Sequence, residues 1–176
     1  MSHKLFDTAS LEIRQLIESD IEEFFDLQSN PKVLEFTGSP VSTYEMCQAE
    51  IKTLIANYPE EKDPLLVWGV YLKASNEFVG TCAYIRGNDE HEIGYRLREK
   101  HWGKGYGSEL TPGLISYVFD HYKVDVIWAE ADVLNVASVK ILDKNLVNQG
   151  KRWNEKDQCW DFHYLLTKEE HDQKRH

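Results

Sequence analysis

The sequence predicts an α/β fold with a mixed central sheet, and three consecutive stretches carry that expectation. Residues 90–98 alternate polar and apolar, with Ile93, Tyr95 and Leu97 on one face and Glu92, Gly94 and Arg96 on the other, which is the period of a strand. A glycine-rich loop follows, Trp102-Gly103-Lys104-Gly105-Tyr106-Gly107-Ser108. It runs into an amphipathic helix with Leu110, Leu114, Tyr117, Val118 and His121 along one stripe, widened by Ile115 and Phe119. Residues 124–133, rich in β-branched and aromatic side chains, then read as a strand, and residues 135–145 as a helix with Val136, Val139, Ile141 and Leu142 apolar and Leu146 just beyond. The order strand, loop, helix, strand, helix implies a parallel strand pair with a right-handed crossover. The loop then lies at the carboxyl end of a strand, where open α/β sheets bind ligands.

The remaining elements follow in chain order. Residues 11–16 alternate as a first strand, and Ser19 is placed to cap a helix running to about Ser29, ended by Asn30-Pro31. Ser42 or Thr43 caps a second helix through Tyr58, with Glu45 completing a capping box if Ser42 is the cap. Residues 65–73 and 78–86 form a hairpin around Ala74-Ser75-Asn76-Glu77. Pro112 lies inside the helix after the loop, cannot donate to Ser108, and is expected to bend or delay that helix. Residues 150–166 give two short strands around Glu155-Lys156-Asp157, and the charged residues from Lys168 read as a loose tail. No repeat, linker or low-complexity segment interrupts the chain. Residues 1–176 are expected to form a single domain, with a mixed sheet of about seven strands flanked by about four helices.

The loop gathers unpaired N–H groups at the positive end of a helix dipole, the arrangement that holds a pyrophosphate. Gly103, Gly105 and Gly107 permit φ > 0 and close approach of an anion. A P-loop is excluded, because Lys104 sits between glycines with no Ser or Thr after it. A dinucleotide fingerprint is excluded by the Gly-x-Gly-x-Gly spacing and by its position after a late strand. Nucleotide hydrolysis and hydride transfer fall away. A glycine-rich turn without ligand is the alternative on the loop alone.

Composition bounds the rest. An apolar content of 41%, with 12% aromatic, fits a globular chain. No apolar run approaches the roughly 18 residues of a membrane span, and Met-Ser-His-Lys-Leu-Phe-Asp lacks the apolar core of a signal peptide. Cys47, Cys82 and Cys159 are widely spaced and are expected to be buried thiols in a reducing cytoplasm. The seven histidines are scattered without ligand spacing, so no metal site is expected. A net charge of −10 argues against nucleic acid and fits a cationic substrate. Arg96, Arg98, Lys100 and Lys104 nevertheless fall within nine residues, opposed only by Glu99. That cluster suits phosphates, or equally a solvated strand end.

Residues 92–146 resemble the acetyl-CoA-binding core of the GNAT acyltransferases, in particular the branch that includes the ribosomal-protein alanine acetyltransferases (RimJ/RimL-like). Glu92-Ile93-Gly94-Tyr95-Arg96-Leu97 is similar to the branch's Glu-Ile-Gly-Tyr-x-Leu strand. Trp102-Gly103-Lys104-Gly105-Tyr106-Gly107-Ser108-Glu109 is similar to its Trp-Gly-Lys-Gly-Tyr-(Ala/Gly)-x-Glu loop. Asn135-x-x-Ser138-x-x-x-Leu142-x-Lys144 is similar to its Asn-x-x-Ser-x-x-x-Leu-x-Lys helix. Where the pattern expects Gly and an aromatic, this chain has Asn145-Leu146, and Asn is suited to an αL helix end.

The resemblance implies direct transfer of acetyl from acetyl-CoA, a cosubstrate, to an amine in a ternary complex. Backbone N–H groups of Gly103, Lys104, Gly105, Tyr106, Gly107 and Ser108, with Trp102 leading the loop, would hold the pyrophosphate, and Lys144 belongs to the matched helix motif. Pantetheine would add like a strand near Leu97 and Arg98. Asn135 would cap its helix and bond pantetheine, and Ser138 would donate to the departing sulfur or else bond back to the backbone. Glu92 is either the general base or a structural carboxylate paired with Arg96, with Glu130 and Asp132 weaker candidates for base. Many superfamily members use a Tyr a few residues beyond the helix that starts at Asn135 as the general acid. None stands there, leaving Ser138 or water.

In this family the early helices and last strands form the acceptor pocket. Expected acceptors are a protein N-terminus (including a ribosomal one), a polyamine, an aminoglycoside or another small amine. Dimers are common in the branch, so a homodimer is among the expectations. The alternative is a GNAT-fold module that binds acetyl-CoA as a sensor or scaffold. Glu92, Asn135 and Ser138 together favour the enzyme, because binding CoA phosphates requires none of them.

Overall fold

The computed structural model describes residues 2–175. Eight strands form one sheet: β1 (Lys4–Asp7), β2 (Leu11–Arg14), β3 (Leu65–Leu72), β4 (Phe78–Arg86), β5 (His91–Leu97), β6 (Val126–Asp132), β7 (Val147–Asn154) and β8 (Cys159–Thr167), in the order β1-β2-β3-β4-β5-β6-β8-β7. The helices are α1 (Ile21–Ser29), α2 (Pro31–Leu34), α3 (Tyr44–Asn57), α4 (Tyr106–Tyr122), α5 (Val136–Asn145) and α6 (Lys168–Lys174). Neighbouring strands are antiparallel except β5 and β6, the parallel pair expected around the α4 crossover.

Alternation along the strands divides two cores. Trp68 and Val70 of β3 join Leu110, Leu114, Ile115, Val118 and Phe119 of α4 on one face. Tyr71 and Phe78 join Leu16, Phe24 and Leu27 with Cys47, Ile51 and Leu54 of α3 on the other. Glu109 in the first turn of α4 is held by the Ser10 amide at 2.7 Å, the Ser10 hydroxyl at 2.6 Å and the Thr8 hydroxyl. The β1–β2 turn therefore fixes the start of α4. None of the helices among the described residues is long and apolar enough to cross a membrane.

Several expectations need correction. The sheet has an eighth strand, β1, because Lys4–Asp7 pairs with β2. Ser19 does not cap α1. It lies in a 3-10 turn over Glu18–Asp20, where the Asp20 carboxylate accepts from the Ile17 amide at 2.8 Å. Asn30 and Pro31 end α1 but also begin α2, with the Asn30 side chain accepting from the Lys32 amide. Thr43, not Ser42, caps α3. Pro112 does not delay α4, which starts at Tyr106 and continues to Tyr122. Asn145 does not take αL; it stays helical and donates to the Ile141 carbonyl at 2.7 Å, while Leu146 is extended. The segment from Lys168 is no loose tail. It is α6, closed by a reciprocal capping box between Thr167 and Glu170, with His171 buried.

Candidate active site

The central feature is an opening in the sheet. β5 and β6 pair at one register position, Glu92 opposite Trp128. Beyond it a cavity of about 650 Å³ lies between the strands, lined by Gly94 and Arg96 of β5 and by Glu130 and Asp132 of β6. The Arg98 amide donates to the Val79 carbonyl at 2.9 Å. In an antiparallel ladder every second residue bonds the same neighbour. Residues 96, 94 and 92 therefore share the β4 edge, and the amides of Tyr95 and Leu97 face the opening. The Leu97 carbonyl accepts from the Trp102 indole at 2.8 Å, leaving its N–H and both polar groups of Tyr95 for an added extended chain.

At the carboxyl end of β5 the glycine loop has the geometry of an anion cradle. Gly103 and Gly105 have φ of +71° and +83°, and a Cβ at either would meet nothing within 4 Å. Gly105 is the N-cap of α4, and the first backbone bond into it is from the Glu109 amide to the Gly105 carbonyl. The N–H groups of Tyr106, Gly107 and Ser108 are thus the free first turn of a 17-residue helix, at its positive pole. Lys104 is exposed beside them. Gly107 differs in kind: a Cβ there would lie 3.0 Å from Ile141 and 3.3 Å from Tyr95, so it is a packing glycine. This free, open first turn fits the pyrophosphate of CoA.

At the vertex, Glu92 is half-buried and its carboxyl is pushed up to about 7, first by burial, then by the Glu130 charge, with Lys156 opposing. Glu130 is itself raised by burial and by Asp161 and Asp157. Glu92 does not pair with Arg96, whose guanidinium donates instead to Gln28 Oε1 at 2.9 Å and Ser39 Oγ at 3.2 Å. Asp132, Cys159 and Asp161 bring ligand-type atoms within 4.8 Å of one another nearby. Burial and the adjacent Asp161 push the Cys159 thiol up to about 12, so it stays protonated.

α5 contributes from the β6 side. Asn135 caps it by accepting from the Ser138 amide at 3.2 Å. Asn135 fills the capping role, and Ser138 lines the cavity with its side chain against Tyr95. Tyr95 lies on the apolar face of β5 in the sequence, and the structure adds it to the site. Its signal was the Glu-Ile-Gly-Tyr strand itself.

Other residues lie elsewhere. Lys144 sits at the far end of α5 beside Pro112, Ile115 and His171, lining a separate small cavity. The basic cluster does not converge on the loop. Arg98 binds Asp26 at 2.7 Å and the Phe78 carbonyl at 3.2 Å, and Lys100 pairs with Glu77, so both anchor the end of β5 to the N-terminal half. The roof was missed entirely. Gly38, at φ +64°, brings the loop after α2 so close to the β7–β8 turn that a Cβ would fall 2.1 Å from the Asp157 carboxylate.

Residues 10–145 match the acetyltransferase (GNAT) domain, and the chain belongs to that family. The uncharacterized N-acetyltransferase YoaA of Bacillus subtilis (strain 168) is 29% identical over 144 residues, 80% of each chain. Spermidine N-acetyltransferase from Vibrio cholerae, in complex with CoA and spermine, has a TM-score of 0.79 at 16% identity, over 93% of this chain and 98% of that one. RimL, a ribosomal L7/L12 alpha-N-protein acetyltransferase in complex with coenzyme A, has a TM-score of 0.78 at 18% identity, over 96% and 99%. The two solved structures bear on the fold, and the family match on the activity. The protein is an acetyltransferase whose cosubstrate is acetyl-CoA.

Proposed function

We propose that the protein transfers acetyl from acetyl-CoA directly to a primary amine in a ternary complex, with Glu92 as general base. The observation that carries this reading is a carboxyl of pKa about 7 at the vertex where β5 and β6 part. Such a group is ionised often enough at neutral pH to take a proton, and basic enough to take it from an ammonium or through one water. The amine nitrogen then attacks the carbonyl carbon, the C–S bond breaks with the sulfur taking the bonding pair, and the second proton shed by the nitrogen ends on that thiolate. Ser138, which lines the cavity, donates to that sulfur. Asn135 and the amides of Tyr95 and Leu97 hold the pantetheine arm, and residues 103–108 hold the pyrophosphate.

Within the family we place the chain in the RimL-like branch, on the three sequence motifs and on the fold shared with RimL. The acceptor classes in view are a protein N-terminus, a polyamine, an aminoglycoside or another small amine. The free thiols fit a reducing cytoplasm, and the branch carries the expectation of a homodimer. Thiol release from acetyl-CoA, measured over N-terminal peptides, polyamines and aminoglycosides, tests the reading. Acetylation of any of them identifies the acceptor class. Micromolar acetyl-CoA binding with no acceptor turned over would favour a sensor or scaffold instead.

A further inference from the structure

Arg96 points from β5 into the same cavity as Glu92, four residues along the strand and on the same face. Arg96 is half-buried, and its guanidinium bonds no carboxylate among the described residues. Its two protein partners, Gln28 and Ser39, are both neutral. A guanidinium has five N–H donors, so two bonds leave it unsaturated toward the cavity. Burial lowers its pKa, and Glu50 of α3, which lines the same cavity, opposes that shift. Glu50 is engaged through Gln28, whose Nε2 donates to it at 3.4 Å while its Oε1 accepts from Arg96. Gln28 is thereby oriented as an acceptor, and the planar fork of Arg96 is held without being neutralised. Across the opening the β6–β8 side carries Glu130, Asp132, Asp157 and Asp161 against Lys156, with Glu92 at the vertex and Glu50 on the α3 wall. Arg96 is thus a half-buried cation on the β5 wall of the cavity, bonded only to neutral side chains, with donors left over for a ligand.

We infer that the acceptor is an amino-carboxylate: its amine lies at Glu92, and its carboxylate is bound by the two-pronged guanidinium of Arg96. This rests on the transferase reading above and narrows its acceptor. A buried charge of one sign is stable when a counter-charge completes it, and Arg matches a carboxylate bidentately. Residues 92 and 96 are roughly 13 Å apart along a strand. That spacing favours amines and carboxylates separated by several bonds, as in longer ω-amino acids or short peptides ending in a free carboxylate, over glycine. A polycation would set a positive charge against Arg96.

The test uses ω-amino acids of increasing length and short peptides, each paired with its carboxamide, and spermidine. Initial rates are measured by thiol release, and binding of the same compounds to the CoA-loaded protein by calorimetry. Wild-type protein should prefer the carboxylate of the best pair by about tenfold or more, chiefly in KM, with an optimum at intermediate length. In Arg96→Gln the ratio should fall to about one, and Arg96→Lys should restore part of it, which separates recognition from misfolding. Equal or better turnover of carboxamides or spermidine, or a preference unchanged in Arg96→Gln, overturns the inference. If no amine is acetylated but carboxylates bind in an Arg96-dependent manner, the transferase reading fails and the carboxylate site stands. If neither rates nor binding depend on Arg96, the site itself is wrong.

Discussion

Glu92 stands opposite Trp128 at the single position where β5 and β6 are in register, so its backbone is fixed by the sheet while its carboxyl faces the opening just above. This placement explains its chemistry. A side chain anchored there is desolvated by the walls yet is not paired with Arg96, the cation on its own strand face. It shares the space with Glu130, and both effects favour the neutral form. Parting the strands thus creates the cavity and tunes the base in one step.

The rate should follow that carboxyl. kcat/KM should rise with pH along a limb centred near 7, because only the ionised base accepts a proton. Glu130→Gln removes the like charge and should move the limb to lower pH. Glu92→Gln should abolish the limb and reduce turnover by about 10²- to 10⁴-fold. A limb unmoved in both variants would remove Glu92 from the reaction.

The same group makes stability depend on pH. Its folded pKa, about 7, is above its ordinary value of 4.5, so the folded state holds the proton more tightly. Its stabilising contribution is full below about 4.5 and is lost as pH rises through about 7. Glu92→Gln, which cannot ionise, should therefore melt at a similar temperature to wild type at pH 4.5 and about 3 °C or more higher at pH 8. Thermal melts across pH 4–9 check this, and a difference independent of pH would contradict the shifted carboxyl.

Gly105 and Gly107 should fail in different ways. At Gly105 a Cβ meets no protein atom, but φ is +83°, so a β-branched residue distorts the turn that aims the first N–H groups of α4. Gly105→Val should raise the Kd for acetyl-CoA by at least tenfold. At Gly107 the added Cβ presses on Ile141 and Tyr95, so Gly107→Val should lower the melting temperature as its leading effect. Calorimetric titration alongside melting distinguishes them.

Much of the site was legible because its signals are local. Strand alternation placed Glu92, glycine spacing placed the loop, and Asn135 announced a cap that the structure confirms. What the sequence concealed is long-range. Arg96 meets Gln28 across 68 residues and Ser39 across 57, and Gly38 meets Asp157 across the cavity roof. No periodicity encodes such contacts. β1 escaped because Lys4-Leu5-Phe6-Asp7 sets its two apolar residues side by side, so no alternation registers, whereas β2, equally short, alternates.

Ser138→Ala separates sulfur chemistry from binding. The cap bond is made by Asn135 to the residue 138 backbone, which alanine retains, so α5 should keep its start. Turnover should fall by about tenfold or more with acetyl-CoA affinity changed less than threefold, a loss of transition-state stabilisation. Unchanged turnover would leave the sulfur to water.

The C-terminal helix should prove to be structural. Its sequence, Lys-Glu-Glu-His-Asp-Gln-Lys, has no apolar residue, so hydrophobic period could not reveal it. The Thr167-x-x-Glu170 capping box was the available signal. His171 carries the packing: it stacks on Phe119 with ring centroids 5.0 Å apart, and Phe119 is fully buried. Arg175 ties the end of the helix to Asp120 at 3.2 Å. An aromatic side chain that loses its cover costs about 1.5–3 kcal/mol, and in a chain of this size each kcal/mol is worth about 2–4 °C. His171→Ala should therefore melt about 3–12 °C below wild type, and removal of residues 168–176 at least as far. A loose tail would leave the melting temperature within a degree of wild type in both variants.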